Sequence, residues 1–417
     1  MRVALIGAGQ RGNIYAGYMK DKMGVEIGAV VDISGEKLSI AADRYGLDDK
    51  FLFDDIDKFL NAHMELDGVI ISTMDRDHYK ETISCLKAGY DILLEKPISP
   101  DPAECLDILR TARKTCRRIM VCHVLRYTNF FATIKSIIDS GELGRIVTIE
   151  HTENIGNFHM AHSFVRGNWR NSNESSPIIL QKSCHDMDIL LWLTGSRASK
   201  ISSFGDLTYF RKKNAPEGST ERCCDCPVSD NCRFDAVKAY LPVRGGWPSE
   251  VICHDQSEEG LKEALKTSPY GRCVYRCDNN VCDHQVTNIL FENGVTASFH
   301  LTGLTDKMHR VIRVMCEDGE IYGDDLTEEI IVTHYSSNAL YTGQSRMINV
   351  VSEEGFHGGG DYGLTRDFVS MISGGKTKAL SGIEESIDSH LMAFAAEESR
   401  RGGGVVEMGS FTAGLQG

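Results

Sequence analysis

The chain opens with an apolar run, Arg2-Val3-Ala4-Leu5-Ile6, that passes directly into Gly7-Ala8-Gly9-Gln10-Arg11-Gly12 and then into a helical stretch. A second apolar run, Val25 to Val31, ends on Asp32. This order of strand, glycine turn, helix, strand and acid constrains the fold more than any other feature, because each glycine has its own steric task. Gly7 turns the chain off the strand, Gly9 lets backbone amides approach a pyrophosphate, and Gly12 lets the helix pack closely on the sheet. The helix expected over 12–23 points unpaired N–H groups and its positive dipole end at the same place. A carboxylate at Asp32 accepts from both hydroxyls of an adenosine ribose and repels a 2′-phosphate. The pattern therefore favours NAD over NADP, a preference that Lys37 and Arg44 downstream soften.

At 417 residues the chain is too long for one core, and a prior of ~150 residues per domain suggests two or three. The first 122 residues alternate strand and helix as a parallel, doubly wound sheet does, with further strands expected near 51–53, 68–72, 91–95 and 118–122. Asp101-Pro102-Ala103-Glu104 reads as an N-cap, a proline at the first helical position and an acid in the first turn. From Ile146 the pattern becomes strands joined by hairpins, with type I′ turns expected at Asn293-Gly294 and Asp318-Gly319. The fold class expected is α/β plus α+β. A Rossmann doubly wound parallel sheet over 1–124 precedes a domain over 125–417 built on an open antiparallel sheet. An irregular, cysteine-rich insertion fills about 209–285, helices at 361–372 and 382–401 pack back, and the glycine-rich tail frays.

The formal charge of −14 and the lack of a basic run argue against nucleic acid or an anionic membrane as partner. Met1 leads straight into the first strand and no run of eighteen apolar residues occurs, so a soluble, cytoplasmic protein is expected. Of fourteen cysteines, eight lie between Cys223 and Cys282, which in a reducing compartment points to metal before disulfides. Cys223, Cys226 and Cys232 form a C-x2-C-x5-C arrangement suited to tetrahedral zinc, with Cys273 as the fourth ligand. Cys277, Cys282, Cys253 and His254 rival Cys273, and iron–sulfur ligation or plain thiols remain as alternatives.

Glu95-Lys96-Pro97 stands at the carboxyl end of an expected parallel strand, the edge where open α/β sheets bind ligands. Together with the glycine loop, His123-Val124-Leu125-Arg126-Tyr127 and Lys182-Ser183-Cys184-His185-Asp186-Met187-Asp188, it makes the chain resemble the glucose-fructose oxidoreductase and inositol dehydrogenase family, Gfo/Idh/MocA. The resemblance implies an NAD site formed by Gly7, Gly9, Gln10, Arg11, Gly12, Asp32, Thr73, His78, Glu95, Lys96 and Arg126. It places Lys96 by the nicotinamide and the reacting hydroxyl, with a Lys-Pro peptide that is often cis, and His185 as acid or base on that hydroxyl. An ammonium stabilises a developing alkoxide, and imidazole titrates near neutrality.

Many members carry an aspartate four residues before the histidine, where this chain has Gln181. Lys182 is the basic residue that takes part instead, and in a helix Lys182, His185 and Asp186 share one face. Asp186 is a candidate at the substrate, and Asp188 resembles the family's acid three residues after the histidine, with a structural or substrate role. A second polar group, His159, His162, Arg166, Trp169 and Arg170, supplies further substrate contacts: a tryptophan face for a sugar ring and a guanidinium for hydroxyls or an anion. Asp278, Asn279, His284, His357 and Asp361 are additional candidates, and the loop 357–361 is tight enough to bring backbone near a ligand.

The activity implied is NAD-dependent oxidation of a hydroxyl on a sugar, glycoside or cyclitol. Two alternatives are a glycoside hydrolase or lyase that retains NAD and acts by transient oxidation and elimination, and a non-catalytic NAD-binding regulator. A homo-oligomer formed through the open face of the second sheet is also implied.

Overall fold

The structure is a computed structural model, and it describes every residue except 354, 376, 377, 416 and 417. Six parallel strands form the first sheet: β1 (Arg2–Ile6), β2 (Glu26–Val31), β3 (Leu52–Phe53), β4 (Gly68–Ile71), β5 (Ile92–Leu94) and β6 (Ile119–Val121). Their order is β3-β2-β1-β4-β5-β6, every neighbouring pair parallel. The connecting helices are α1 (Gln10–Met23), α2 (Gly35–Tyr45), α3 (Ile56–Asn61), α4 (His78–Ala88) and α5 (Pro102–Thr115). Helices on both faces explain why β4, β5 and β6 read as unbroken apolar runs and are wholly buried. The strand order reverses between β1 and β4, which opens a cleft at their carboxyl ends. At α5, the Asp101 carboxylate accepts from the Ala103 and Glu104 amides, with Pro102 opening the helix.

After α6 (Asn129–Ser140) the chain enters a second sheet with β7 (Ile146–Asn154). It continues through α7 (Asn157–His159), a π-helical segment Met160–Arg166, α8 (Ile178–Gln181), α9 (Cys184–Thr194) and β8 (Ala198–Asp206). The insertion carries α10 (Ala236–Tyr240) and α11 (Glu258–Thr267). Then come β9 (His284–Phe291), β10 (Thr296–Thr302), β11 (His309–Cys316), β12 (Gly319–Asp324), β13 (Glu329–His334) and β14 (Gln344–Asn349). The chain closes with α12 (Gly360–Ile372), α13 (Ile383–Gly402), β15 (Val406–Glu407) and α14 (Met408–Gly414). The order β14-β13-β12-β11-β7-β10-β9-β8-β15 is mixed, because β7 and β10 run parallel. Between them the chain crosses α9, β8, the insertion and β9, so β10 arrives in the same direction as β7. The sheet packs one face on α9 and α13, and Val147, Phe204 and Tyr322 stand exposed on it.

Three local expectations are corrected. The β9–β10 hairpin forms, but only Gly294 has positive φ (+88°), and its amide donates to the Phe291 carbonyl at 3.0 Å. That is an ordinary turn followed by a left-handed glycine, not type I′, which needs positive φ at both central residues. Neither Asp318 nor Gly319 has positive φ; the Asp318 amide instead bonds the Leu143 carbonyl at 2.9 Å, so contact with the α6–β7 connection shapes the turn. Among the described residues the glycine-rich tail is not frayed: Val406 and Glu407 pair with Ile201 and Lys200 of β8, and α14 follows, while 416 and 417 lie outside the described residues. Among the described residues no helix is long and apolar enough to cross a membrane.

Candidate active site

The carboxyl edge of the first sheet is shaped by glycines whose Cβ positions differ. A Cβ on Gly7 (φ +88°) would lie 2.7 Å from the Ser72 carbonyl and the Thr73 nitrogen, and one on Gly12 would collide with the Ser72 hydroxyl and the Gly7 carbonyl. A Cβ on Gly9 meets nothing within 4 Å. The loop is thus packed on its inner side and open on its outer side, where a pyrophosphate would lie against the α1 N-terminus. Asp32, at the end of β2, accepts the Ala8 and Ser34 amides, each at 2.9 Å, and the Lys37 ammonium at 3.5 Å. These residues fit NAD.

Beneath the loop, Glu95 accepts from Arg11 Nε (3.0 Å), the Tyr15 hydroxyl (2.7 Å) and the Lys96 amide (2.7 Å). Burial alone would raise its pKa, but Arg11 and Lys96 outweigh that and hold the carboxyl below its ordinary value. Arg11 also pairs with Asp361, which ties α12 to the glycine loop. The Lys96-Pro97 peptide is cis. Lys96 Nζ donates to the Gln181 backbone carbonyl at 3.0 Å.

His185 lies beside this lysine, its ring centroid 5.7 Å from that of His123 and 6.5 Å from that of His357. Burial first, then the charges of Lys96, His123 and Arg310, hold its pKa well below 6.5, so the ring is neutral at neutral pH. The helix expected to carry Lys182, His185 and Asp186 together is broken: α8 ends at Gln181 and α9 begins at Cys184. Lys182 sits in the break, its ammonium 3.2 Å from Glu153, and burial lowers its pKa despite that carboxylate. Arg310 bridges Glu153 and Asp186, and His151 Nε2 donates to Asp186 at 2.9 Å. Arg310 and His151 hold the Asp186 carboxyl well below its ordinary pKa although burial opposes them. His159 borders the same group: burial lowers its pKa first, and Lys182, His162 and Lys96 add to the effect.

Other expected contacts are placed differently. Arg126 and Asp188 form a buried two-pronged pair, both bonds 2.7 Å, with Arg126 Nη1 on the Leu380 carbonyl. Arg126 is spent on Asp188 and on main chain, and Asp188 on Arg126. His78 is buried with its ring nitrogens on the Pro97 and Thr73 carbonyls, and Thr73 donates to Glu81 at 2.5 Å. Gln10 reaches across to Glu250 of the insertion at 3.4 Å. Arg166 turns away from the cluster, donating to the carbonyls of Arg272 and Phe234 and to Cys223 Sγ at 3.5 Å. His162 stacks on Tyr270 at 4.7 Å, and Trp169 packs against Phe164 at 6.2 Å. The aromatic edge beside His159 and His162 comes instead from Trp247, at 5.2 and 5.7 Å. Arg170 is paired with Asp278, and His284 with Asp283. Cys223, Cys226, Cys232 and Cys273 line one small cavity. Among the described residues, however, no three His, Cys, Asp or Glu side chains are grouped to hold a metal ion.

Sequence reasoning missed Glu153, His151 and Arg310. On β7 the buried positions Ile149, His151 and Glu153 alternate, and on β11 Arg310 shares a face with Ile312 and Val314. A charge in phase with the apolar face of a strand is the signal that finds them.

A family model described as "Oxidoreductase family, NAD-binding Rossmann fold" matches residues 1–123, and one described as "GFO/IDH/MocA C-terminal domain" matches 131–322. The putative oxidoreductase YteT of Bacillus subtilis is 24% identical over 72% of this chain and 71% of its own. Inositol 2-dehydrogenase of Pseudarthrobacter chlorophenolicus is 26% identical over 67% and 79%. The fold is shared with scyllo-inositol dehydrogenase from Lactobacillus casei, solved with NAD(H) and scyllo-inositol, at a TM-score of 0.68 and 18% identity, covering 98% of this chain and 99% of that one. An oxidoreductase from Agrobacterium radiobacter, solved with NAD+, L-tartaric acid and magnesium, has a TM-score of 0.70 at 14% identity, covering 98% and 99%. With both halves matched around this dinucleotide cradle, the chain belongs to the Gfo/Idh/MocA family of NAD-binding oxidoreductases.

Proposed function

We propose that the protein oxidises a secondary hydroxyl of a cyclitol, sugar or glycoside. The observation that carries this reading is Lys96, held on the Gln181 carbonyl of the segment that leads into His185 and adjacent to Glu95, which Arg11 of the NAD-fitting glycine cradle contacts. NAD, when bound, supplies the hydride acceptor. His185 removes the hydroxyl proton, and Lys96, steadied by the Gln181 carbonyl, stabilises the developing alkoxide. Lys182, held by Glu153, serves in place of the acid that many members carry at position 181 and positions the neighbouring hydroxyl. The inositol named for the relatives sets the first substrates to try. NADH formation on a panel of cyclitols, sugars and glycosides, with Lys96→Met and His185→Gln compared to wild type, tests the assignment. Both variants are expected to lose ~10²–10⁴ in kcat, and wild-type rates in both would remove it.

The remaining proposals concern the second half. Residues 1–124 hold the dinucleotide and 125–417 the substrate, in a cytoplasmic protein that self-associates through the sheet face bearing Phe204 and Tyr322. A structural zinc on Cys223, Cys226, Cys232 and Cys273 is supported by the shared cavity and by the buried Arg166 cation donating to Cys223. Zinc thiolates carry negative charge that such a cation offsets. Elemental analysis is expected to find about one zinc per chain; folded protein without metal would refute it.

A further inference from the structure

The insertion reaches back over the cleft at one short stretch. Glu250 accepts from the Gln10 side chain of the glycine loop at 3.4 Å. Three residues earlier, Trp247 meets the His159 and His162 rings nearly at right angles, with centroids 5.2 and 5.7 Å away. His159 in turn lies close enough to Lys182 and Lys96 for both charges to act on it. Residues 247–250 cover at most about 11 Å of extended chain, so a single turn of the insertion spans from the glycine loop to the reaction centre. That turn is braced: the Ser249 hydroxyl donates to Gln256 Oε1 at 2.7 Å, and the Gln256 amide donates to the Ser249 carbonyl at 3.3 Å. Trp247 is nevertheless 39% exposed, and its indole N–H has no partner among the described residues. Beside it, His159 Nδ1 lies 3.0 Å from the Met308 sulfur, which leaves Nε2 without a partner among the described residues. A fixed apolar ring flanked by two free polar nitrogens suits a pyranose, whose C–H face covers the ring while its hydroxyls take the nitrogens. The Glu250 carboxylate, contacted only by the uncharged Gln10 among the described residues, disfavours an anionic group at the same place.

We infer that Trp247 is the platform of an outer subsite that takes a second, uncharged sugar ring. The ring to be oxidised lies at Lys96 and His185, and the ring joined to it lies on the indole, with hydroxyls on His159 Nε2 and the indole N–H. The preferred substrate is then a glycoside of two neutral rings and not a free cyclitol or monosaccharide, neither of which reaches both places. The insertion supplies this subsite, so the same stretch that covers the glycine loop sets how large a substrate the cleft selects. The inference rests on the proposed oxidation only for the position of the first ring.

The test reads binding apart from turnover. The full chain with NAD+ present is titrated by calorimetry with glucose, galactose and myo-inositol, with the disaccharides cellobiose, maltose, lactose and melibiose, and with UDP-glucose. NADH formation from the same compounds is measured separately. At least one disaccharide is expected to bind about tenfold or more tightly than its constituent sugars, the gain that covering one indole face supplies. Trp247→Ala is expected to lose that gain, and Trp247→Phe, which keeps a flat ring in the same place, to retain part of it. No disaccharide preference in wild type, a preference that survives in Trp247→Ala, or equal losses for one and two rings overturns the inference. A larger gain from Trp247 for UDP-glucose than for any disaccharide overturns it too, because the outer group would then be charged. NADH formation from single sugars without disaccharide preference refutes this inference alone, and a Trp247-dependent preference without NADH formation refutes the proposed oxidation alone.

Discussion

Lys96 donates its ammonium proton to the main-chain carbonyl of Gln181 at 3.0 Å, with no carboxylate in contact with it among the described residues. The lysine's position is therefore set by the break between α8 and α9, since a backbone carbonyl moves only with its segment. Its ammonium retains donors for a substrate oxygen. Lys96→Arg is expected to fail as a conservative change, because a planar guanidinium cannot keep the carbonyl bond and reach the same oxygen as a compact ammonium. Activity near wild type in that variant, measured as kcat on the best polyol, would contradict the geometry.

Gly9 and Gly12 separate binding from folding. A methyl at Gly12 meets the Ser72 hydroxyl and the Gly7 carbonyl, whereas one at Gly9 points into open space. Gly12→Ala is expected to lower the melting temperature, by an overpacking cost of about 1–3 kcal/mol. Gly9→Ala is expected to melt as wild type does, yet bind NAD at least tenfold more weakly, about 1.4 kcal/mol. Calorimetry and coenzyme titration on the two proteins check the pair, and equal NAD affinity in Gly9→Ala would place the pyrophosphate elsewhere.

The dinucleotide cradle was readable because its residues are consecutive: Gly7 to Gly12 form one turn, and Asp32 ends the next strand. Of the proposed reaction centre, the sequence marks only the residues that stand in the family's motifs, Lys96 and His185. Arg166 and Trp169 look the same in sequence whether they face a substrate or a neighbouring loop, and the insertion claimed Arg166 while Phe164 packed against Trp169. Glu153 and Arg310 lie 157 positions apart and meet only because β7 and β11 pair in register, Arg310 opposite Glu153. Register of that kind is a long-range property that local pattern does not carry.

Glu153 stands between two cations, Lys182 and Arg310, and none of its surface reaches solvent. Glu153→Gln leaves those cations facing each other in a buried site. Removing one member of a buried charge group typically costs about 3–5 kcal/mol, and part of that is expected to be relieved by Lys182 losing its proton. The midpoint of urea unfolding should fall accordingly, and the loss should shrink as pH rises and neutral lysine becomes easier to reach. A pH-independent loss would mean that Lys182 stays charged and that the strain is absorbed by movement of the strands.

Two buried histidines are expected to make the fold acid-sensitive well above the carboxylate range. Burial, with Arg166 adding to it, lowers the His162 pKa to about 4; burial, with His123 adding to it, lowers that of His390 to about 3. His390 is fixed as a neutral ring, its Nε2 accepting the Ile98 amide at 3.0 Å and its Nδ1 donating to the Ser386 carbonyl at 2.8 Å. In the unfolded chain both titrate near 6.5. Between 6.5 and the folded values the unfolded state therefore binds the extra protons, and stability falls as pH falls. Their contribution is complete above about pH 6.5 and is lost at up to about 1.4 kcal/mol per pH unit for each ring. Unfolding free energies from urea titrations at pH 7, 6 and 5 should decline by at least this amount beyond what the carboxylates add, because burial also holds the His123, His159 and His185 rings neutral. His162→Gln should reduce the slope by one ring's share, since the amide takes up no proton. An unchanged slope in that variant would mean that His162 is already protonated in the folded protein, against its contact with the Tyr240 hydroxyl at 3.0 Å and its stack on Tyr270.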